Sequence, residues 1–312
     1  MSYFITGDTH GRFETIDHFV RFHETSLSDV LIILGDAGIN LCLNHRDHML
    51  KTMLSEWNIT FFCVHGNHEE RPCNIETYVE KEWHEGIVYY EPEFPNILFA
   101  MDGEIYDFDG QKAIVIGGAY SVDKAYRLLT GLPWFPDEQP SAEIKGYVVE
   151  KLDAVNWKVD YVFSHTAPLL YEPKELFLDF IDQKKVDKST EKWLSEIEKQ
   201  LTYHTWYFGH YHGNRTMGRS KMLYEEIQEL GKDSFVQRVG RPLYKVGDRV
   251  LFYMDDAGEE FECYGEIQVV DVMGSFFTPN EVSYDIYGAD HRYPDNKVLY
   301  KHIVESKVEG KI

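Results

Sequence analysis

Asp8, His10, Asp36, Asn67, His165, His210 and His212 each follow a short apolar run. They fall in the ordered motifs Gly7-Asp8-Thr9-His10-Gly11, Gly35-Asp36-Ala37-Gly38, Gly66-Asn67-His68-Glu69, Ser164-His165-Thr166 and Gly209-His210-Tyr211-His212. Carboxylate, amide and imidazole donors in one set are what a two-cation centre needs, with one carboxylate free to bridge. Such a centre suits phosphate ester hydrolysis, which is very slow unaided. Two cations about 3.5–4 Å apart make hydroxide from water near neutral pH, cancel charge on the phosphoryl oxygens and hold the ester in line. Taken singly, each residue is a weak signal, because an Asp after Gly is usually a turn residue. His65, two residues before Asn67, is read as an ordinary packing residue. The ordered recurrence of the whole set points to a metal centre. Mixed nitrogen and oxygen ligands suit manganese, iron, zinc or nickel better than the all-oxygen cage of calcium. Two divalent transition-metal ions are expected, with manganese as the activator.

The elements that must position these residues are legible around them. The runs 3–6, 30–34, 60–64, 161–163 and 206–208 are short and rich in β-branched or aromatic residues, so each reads as a buried strand. Helical patterns at 13–24, 45–57, 142–155 and 188–201 fall between them. Strand and helix in alternation predict an α/β fold, in which ligands collect beyond the carboxyl ends of the strands. Residues 96–118 read as two or three strands with turns at Asp102-Gly103 and Asp109-Gly110, and 222–230 as a closing strand. The expected division is one domain over 1–233, a polar linker over 234–240, and a small all-β, SH3-like barrel over 241–312.

The motifs GDTHG, GDAG, GNHE, SHTAP and GHYH together resemble the calcineurin-like metallophosphoesterase superfamily over about residues 1–233. The segments 117–124 and 186–192 resemble a bacterial and phage-borne branch. The resemblance implies a four-layer αββα sandwich. It implies that Asp8, His10 and His212 bind one metal, that Asn67, His165 and His210 bind the other, and that Asp36 bridges them. It also implies that His68 acts as general acid. Two positions depart from the phosphoprotein-phosphatase branch, whose second motif continues GDxxDRG. Ile39 stands where a carboxylate would orient the catalytic histidine, and Asn40 where an arginine would grip phosphate. These departures argue against a phosphoprotein phosphatase. Arg71 of the retained GNHExR pattern, and Arg127 or Lys124 beyond the 117–121 strand end, are the candidate cations for a third phosphoryl oxygen.

Composition narrows the partners. The chain of 312 residues is 43% hydrophobic, with a formal net charge of −22. That balance argues against a nucleic-acid binder, which needs a basic stripe, and against an anionic membrane surface. The expected substrate is a small or nucleotide-like phosphate ester, monoester or diester. A nuclease of the same superfamily and a non-catalytic protein on a phosphatase scaffold are the competing readings. The N-terminal residues show no signal peptide and no apolar run is long enough to span a bilayer, so a cytoplasmic enzyme with reduced cysteines is expected. The C-terminal module is read as an appendage that covers apolar surface or supports a homo-oligomer. Trp134 and Phe135 are read as packing residues near the pocket.

Overall fold

The computed structural model describes residues 1–178, 181–232, 235–237, 242–256, 259–272 and 282–312. Strands β1 (Tyr3–Thr6), β2 (Val30–Ile33), β3 (Thr60–Cys63), β4 (Val79–Trp83), β5 (Gly86–Tyr90) and β6 (Ile97–Ala100) build the first sheet. Strands β7 (Ile105–Phe108), β8 (Gln111–Ile116), β9 (Tyr161–Ser164), β10 (Thr205–Phe208), β11 (Arg215–Met217) and β12 (Ser220–Met222) build the second. With β13 (Ile227–Glu229) and β14 (Phe235–Gln237) at its edge, the first sheet runs β14-β13-β1-β2-β3-β6-β5-β4. The second runs β11-β12-β10-β9-β8-β7. The helices are α1 (Glu14–Phe22), α2 (His45–Ser55), α3 (Lys124–Thr130), α4 (Ala142–Ala154) and α5 (Ser189–Glu198).

Strand alternation explains the layers. Tyr3, Ile5, Val30, Ile32 and Phe62 from the first sheet share one cluster with Phe108, Ala113, Val115, Tyr161 and Phe163 from the second. Their chain neighbours Ile114, Ile116, Val162 and Trp206 point the other way and pack with Val148 and Leu152 of α4 and Leu194 and Ile197 of α5. The first set glues sheet to sheet and the second glues sheet to helix, which is the αββα arrangement. Each such side chain contributes about 1.5–3 kcal/mol on burial.

β1, β2, β3 and β6 are parallel neighbours, as are β8, β9, β10 and β12. Each parallel set therefore ends its strands on one edge, where the polar motifs begin. The hairpin expected in 96–118 forms between β7 and β8, with Asp109 at φ 54° and Gly110 at φ 87° in its turn. Residues 222–230 are not one strand. β12 lies parallel to β10 in the second sheet while β13 lies antiparallel to β1 in the first, so the chain crosses between sheets there.

Two compact units emerge, Met1–Phe13 with Glu24–Phe235, and Glu14–His23 with Val236–Ile312. Helix α1 thus groups with the C-terminal unit, which a linear division of the chain does not anticipate. Of the expected linker 234–240, residues 235–237 form β14 and the rest lies outside the described residues. In the C-terminal unit, β15 (Arg249–Asp256), β16 (Glu259–Asp271), β17 (Ser283–Asp290), β18 (Val298–Val304) and β19 (Val308–Lys311) make an all-antiparallel sheet in the order β18-β17-β16-β15-β19. Val250, Phe252, Ile267, Tyr284 and Ile286 form its own core.

Candidate metal centre

Asp8 follows β1, Asp36 follows β2, Asn67 follows β3, His165 follows β9, and His210 and His212 follow β10. Backbone hydrogen bonds lock these loops together. His10 N–H donates to the Asp36 carbonyl at 2.8 Å, and Gly209 N–H to the His165 carbonyl at 3.0 Å. His10, Asp36, His210 and His212 sit at φ values of 50°, 48°, 67° and 50°. For non-glycine residues this left-handed backbone costs about 1–3 kcal/mol each, and it persists where surrounding structure imposes it. Four candidate ligands share it, so their side chains are aimed by the loops and not by local preference.

The two carboxylates are arranged alike. Asp8 Oδ1 accepts the His210 N–H at 2.8 Å, and Asp36 Oδ1 accepts the His68 N–H at 2.8 Å. In each case the other oxygen is left for a ligand. Asp8 Oδ2 is buried with no hydrogen-bond partner, 3.4 Å from His212 Nε2 and 3.7 Å from His10 Nε2. Asp36 Oδ2 lies 3.7 Å from His165 Nε2 and 3.9 Å from both His10 Nδ1 and His68 Nε2. Close approach is possible because two flanking positions lack a side chain. A Cβ on Gly66 would fall 2.0 Å from Asp36 Oδ1, and one on Gly209 would fall 2.1 Å from Asp8 Oδ1.

A cation requires ionised carboxylates and neutral imidazoles, and Asp36, His10 and His210 are shifted that way, whereas the hydrogen bond to Asp8 draws the His212 imidazole up. Burial pushes the Asp36 carboxyl up, but the imidazoles of His165, His68 and His10 outweigh it and hold the group below its ordinary value. Burial drives His10 down, with His212 and His165 adding to it, and burial takes the His210 imidazole to about 3, with His165 adding to the shift.

The orientation of Asn67 and His165 is set from outside. His165 Nδ1 lies 2.8 Å from the Leu34 carbonyl, an acceptor, so a neutral ring carries its hydrogen there and its lone pair on Nε2. Ser121 Oγ receives the Asn67 Nδ2 hydrogen at 2.9 Å and passes its own to Glu138. Asn67 therefore turns Oδ1 inward, 2.7 Å from His165 Nε2. Two acceptor atoms then face each other with no hydrogen between them. A cation bound by both resolves that repulsion. Asp8, His10 and His212, and separately Asp8, Asp36 and His165, bring ligand atoms within 4.8 Å of one another. The residues present fit a divalent metal centre.

A family model for calcineurin-like phosphoesterases matches residues 1–229. The chain belongs to the calcineurin-like phosphoesterases. That family hydrolyses phosphate esters with two metal ions, and the motifs that suggested it are the ones that meet here. Among solved structures, a Thermus thermophilus protein is 14% identical over 71% of this chain and 87% of its own, with a TM-score of 0.40. Phosphopantetheinyl hydrolase from Mycobacterium tuberculosis is 14% identical over 72% of this chain and 88% of its own, with a TM-score of 0.37. No curated protein matches the sequence.

Side chains around the candidate ligands complete this phosphoesterase site. Glu69 is fully buried, its Oε1 accepting the Gly66 N–H at 2.9 Å and its Oε2 the Gly38 N–H at 3.3 Å, so it braces two ligand loops. Ser121 and Glu138 form the brace for Asn67. Arg127, on α3, reaches His68 Nε2 with Nη2 at 3.3 Å. Arg71 is buried in an ion pair, Nη1 standing 2.5 Å from Asp102 Oδ2, and its Nε donates to the Asp137 carbonyl at 3.0 Å. Lys124 stacks its ammonium 4.0 Å over the Trp134 ring. Ile39 and Asn40 are both buried, and Asn40 Oδ1 accepts the Tyr78 hydroxyl at 3.0 Å. His65 is buried as well, and burial holds its imidazole well below the ordinary value.

Ser121→Ala removes the acceptor that fixes the Asn67 amide. Loss of such an outer support typically weakens metal affinity about 10–100-fold. Calorimetric titration with manganese is expected to show that loss in one of two binding events. Equal affinities in variant and parent would remove the orienting role of Ser121.

Proposed function

We propose that this chain is a two-metal hydrolase of small phosphate esters. The observation that carries the proposal is the buried Asp8 Oδ2, which has no hydrogen-bond partner, in a cluster where Asp8, Asp36 and His165 bring ligand atoms within 4.8 Å of one another and Asn67 Oδ1 lies 2.7 Å from His165 Nε2. Asp8, His10 and His212 would hold one ion, and Asn67, His165 and His210 the other. Asp36 would be shared between them, because its Oδ2 lies within 4 Å of a ring from each group. Bound there, two divalent cations supply charge to the phosphoryl oxygens and acidify a water. We favour manganese, on the mixed nitrogen and oxygen donors.

The chain's own residues supply the rest. His68 has its backbone N–H tied to Asp36 and its Nε2 3.9 Å from Asp36 Oδ2, a carboxylate whose charge favours the protonated ring that would hand a proton to the departing alcohol. Arg127 is the cation we assign to a phosphoryl oxygen: Asp123 holds its Nε at 2.8 Å and the Pro133 carbonyl its Nη1 at 3.1 Å, which leaves Nη2 beside His68, whereas Arg71 is buried against Asp102. Arg127→Ala is expected to weaken inhibition by inorganic phosphate about tenfold with metal content unchanged. Arg71→Ala instead strands Asp102 in the interior and is expected to cost about 3–5 kcal/mol of stability, read from the denaturant midpoint. If Arg71→Ala leaves that midpoint in place and weakens phosphate inhibition, the two roles are reversed.

A panel of one monoester, one diester, nucleotides, cyclic nucleotides and a phosphopeptide tests the reading. We expect hydrolysis of the small esters. The phosphopeptide should be a poor substrate, because neither Ile39 nor Asn40 supplies the groups of the phosphoprotein-phosphatase pattern. With a net charge of −22, affinity for DNA or RNA should be weak. Tight, salt-sensitive binding would favour the nuclease reading. We also propose a cytoplasmic setting, in keeping with the free thiols Cys42, Cys63, Cys73 and Cys263. Among the described residues no helix is long and apolar enough to cross a membrane. For residues 241–312 we propose a folded appendage that covers apolar surface or joins two copies.

A further inference from the structure

A cavity of about 310 Å³ opens directly against the metal centre, with His210 and His212 in its wall. Val122, Leu176, Phe177, Ile181, Val186 and Tyr211 make half of the remainder. Phe177 lies nearly parallel to Tyr211, with ring centroids 6.1 Å apart at 28°. Val122, Leu176 and Leu178 at the cavity stay 39%, 44% and 49% exposed. Apolar surface left open beside a polar catalytic centre marks a place for an organic group. The polar members of the wall restrict its charge. Glu172 and Glu191 both line it, and the Lys188 ammonium is already paired with Glu172 at 2.8 Å. Glu191 Oε1 accepts the Thr166 hydroxyl at 2.9 Å. Burial raises the Glu191 carboxyl to about 7, so among the described residues of the wall Lys188 is balanced by Glu172 and no cation is left over for an anionic group.

We propose that this slot selects the organic part of the ester, taking an uncharged flat or apolar group of one or two rings while the phosphoryl group meets the metals. The inference rests on the phosphoesterase reading above and narrows its substrate class. Size supports it. A dry cavity of about 150 Å³ takes one benzene ring, and this slot is about twice that. A second phosphate or a carboxylate on the organic group would face Glu172 and Glu191.

The experiment compares phenyl phosphate with 2-naphthyl phosphate, whose phenols differ little in acidity, using the full chain loaded with manganese. Binding of benzylphosphonate and methylphosphonate, which are not hydrolysed, is measured alongside by calorimetry. One extra methylene in an apolar pocket is worth about 10–200-fold in discrimination, so the naphthyl ester is expected to be favoured about tenfold or more in kcat/KM, mainly through KM. Benzylphosphonate is expected to bind correspondingly tighter than methylphosphonate. Leu176→Asp and Ile181→Asp, at two different points of the wall, are expected to bring both ratios to about one. Two esters turned over with equal kcat/KM by the parent would overturn the slot and leave the hydrolase reading standing. If neither ester is turned over but benzylphosphonate keeps its advantage and Leu176→Asp erases it, the slot stands and the hydrolase reading falls. A ratio untouched in both variants would overturn the slot outright.

Discussion

Asp36→Asn is expected to lower metal content from two ions per chain to one or none and to reduce turnover about 10³-fold or more. The substitution is nearly isosteric, and the new amide can still accept the His68 N–H through Oδ1. What it removes is the negative charge and the lone pairs of Oδ2, which faces His165, His10 and His68 at 3.7–3.9 Å. If the amide nitrogen takes the Oδ2 position, it presents hydrogens to a cation. Metal ions at such centres stabilise developing charge by several kcal/mol, and each 1.36 kcal/mol is a decade in rate. The fold should survive, because the core that carries Asp36 is built from Ile32, Leu34 and Phe62. Metal analysis and circular dichroism on the same sample separate a lost ligand from a lost fold. A folded Asp36→Asn variant that keeps two ions and full activity would contradict the assignment.

His68→Ala should behave differently. Its backbone N–H still donates to Asp36, so both ions are expected to stay. Turnover of esters with poor leaving groups is expected to fall about 10²–10⁴-fold, the usual worth of a positioned proton donor. Nitrophenyl esters leave without protonation and should lose much less. The comparison is the decisive part, because a general loss of positioning would slow both kinds of ester alike. Equal losses would therefore remove His68 from the role of acid.

The candidate ligand positions were legible because each is local, a polar motif at the end of a buried run. The elements that hold them were legible for the same reason, since Tyr3 and Ile5 or Val30 and Ile32 already show which strand face is shared. What escaped is what depends on distant pairing. Ser121 lies 54 residues from the Asn67 it orients, and Arg127 lies 59 from His68. Arg71 is a phosphate-ligand candidate in the sequence because it is three residues from His68, whereas Asp102, its buried partner, is 31 residues away. The β4–β5 hairpin was missed because its turn uses His84 and Glu85 at φ 49° and 67°, with no glycine or asparagine to announce it. Helix α3 was missed because its seven residues are too few for a periodic pattern to show.

The most direct test of the central claim is manganese stoichiometry and ester hydrolysis measured together on the full chain. Titrating metal-free protein with manganese while following p-nitrophenyl phosphate and bis-p-nitrophenyl phosphate should give two ions per chain at saturation, with activity rising as the second site fills. Saturation at a single ion, or a chain holding two ions that hydrolyses neither ester, would contradict the account.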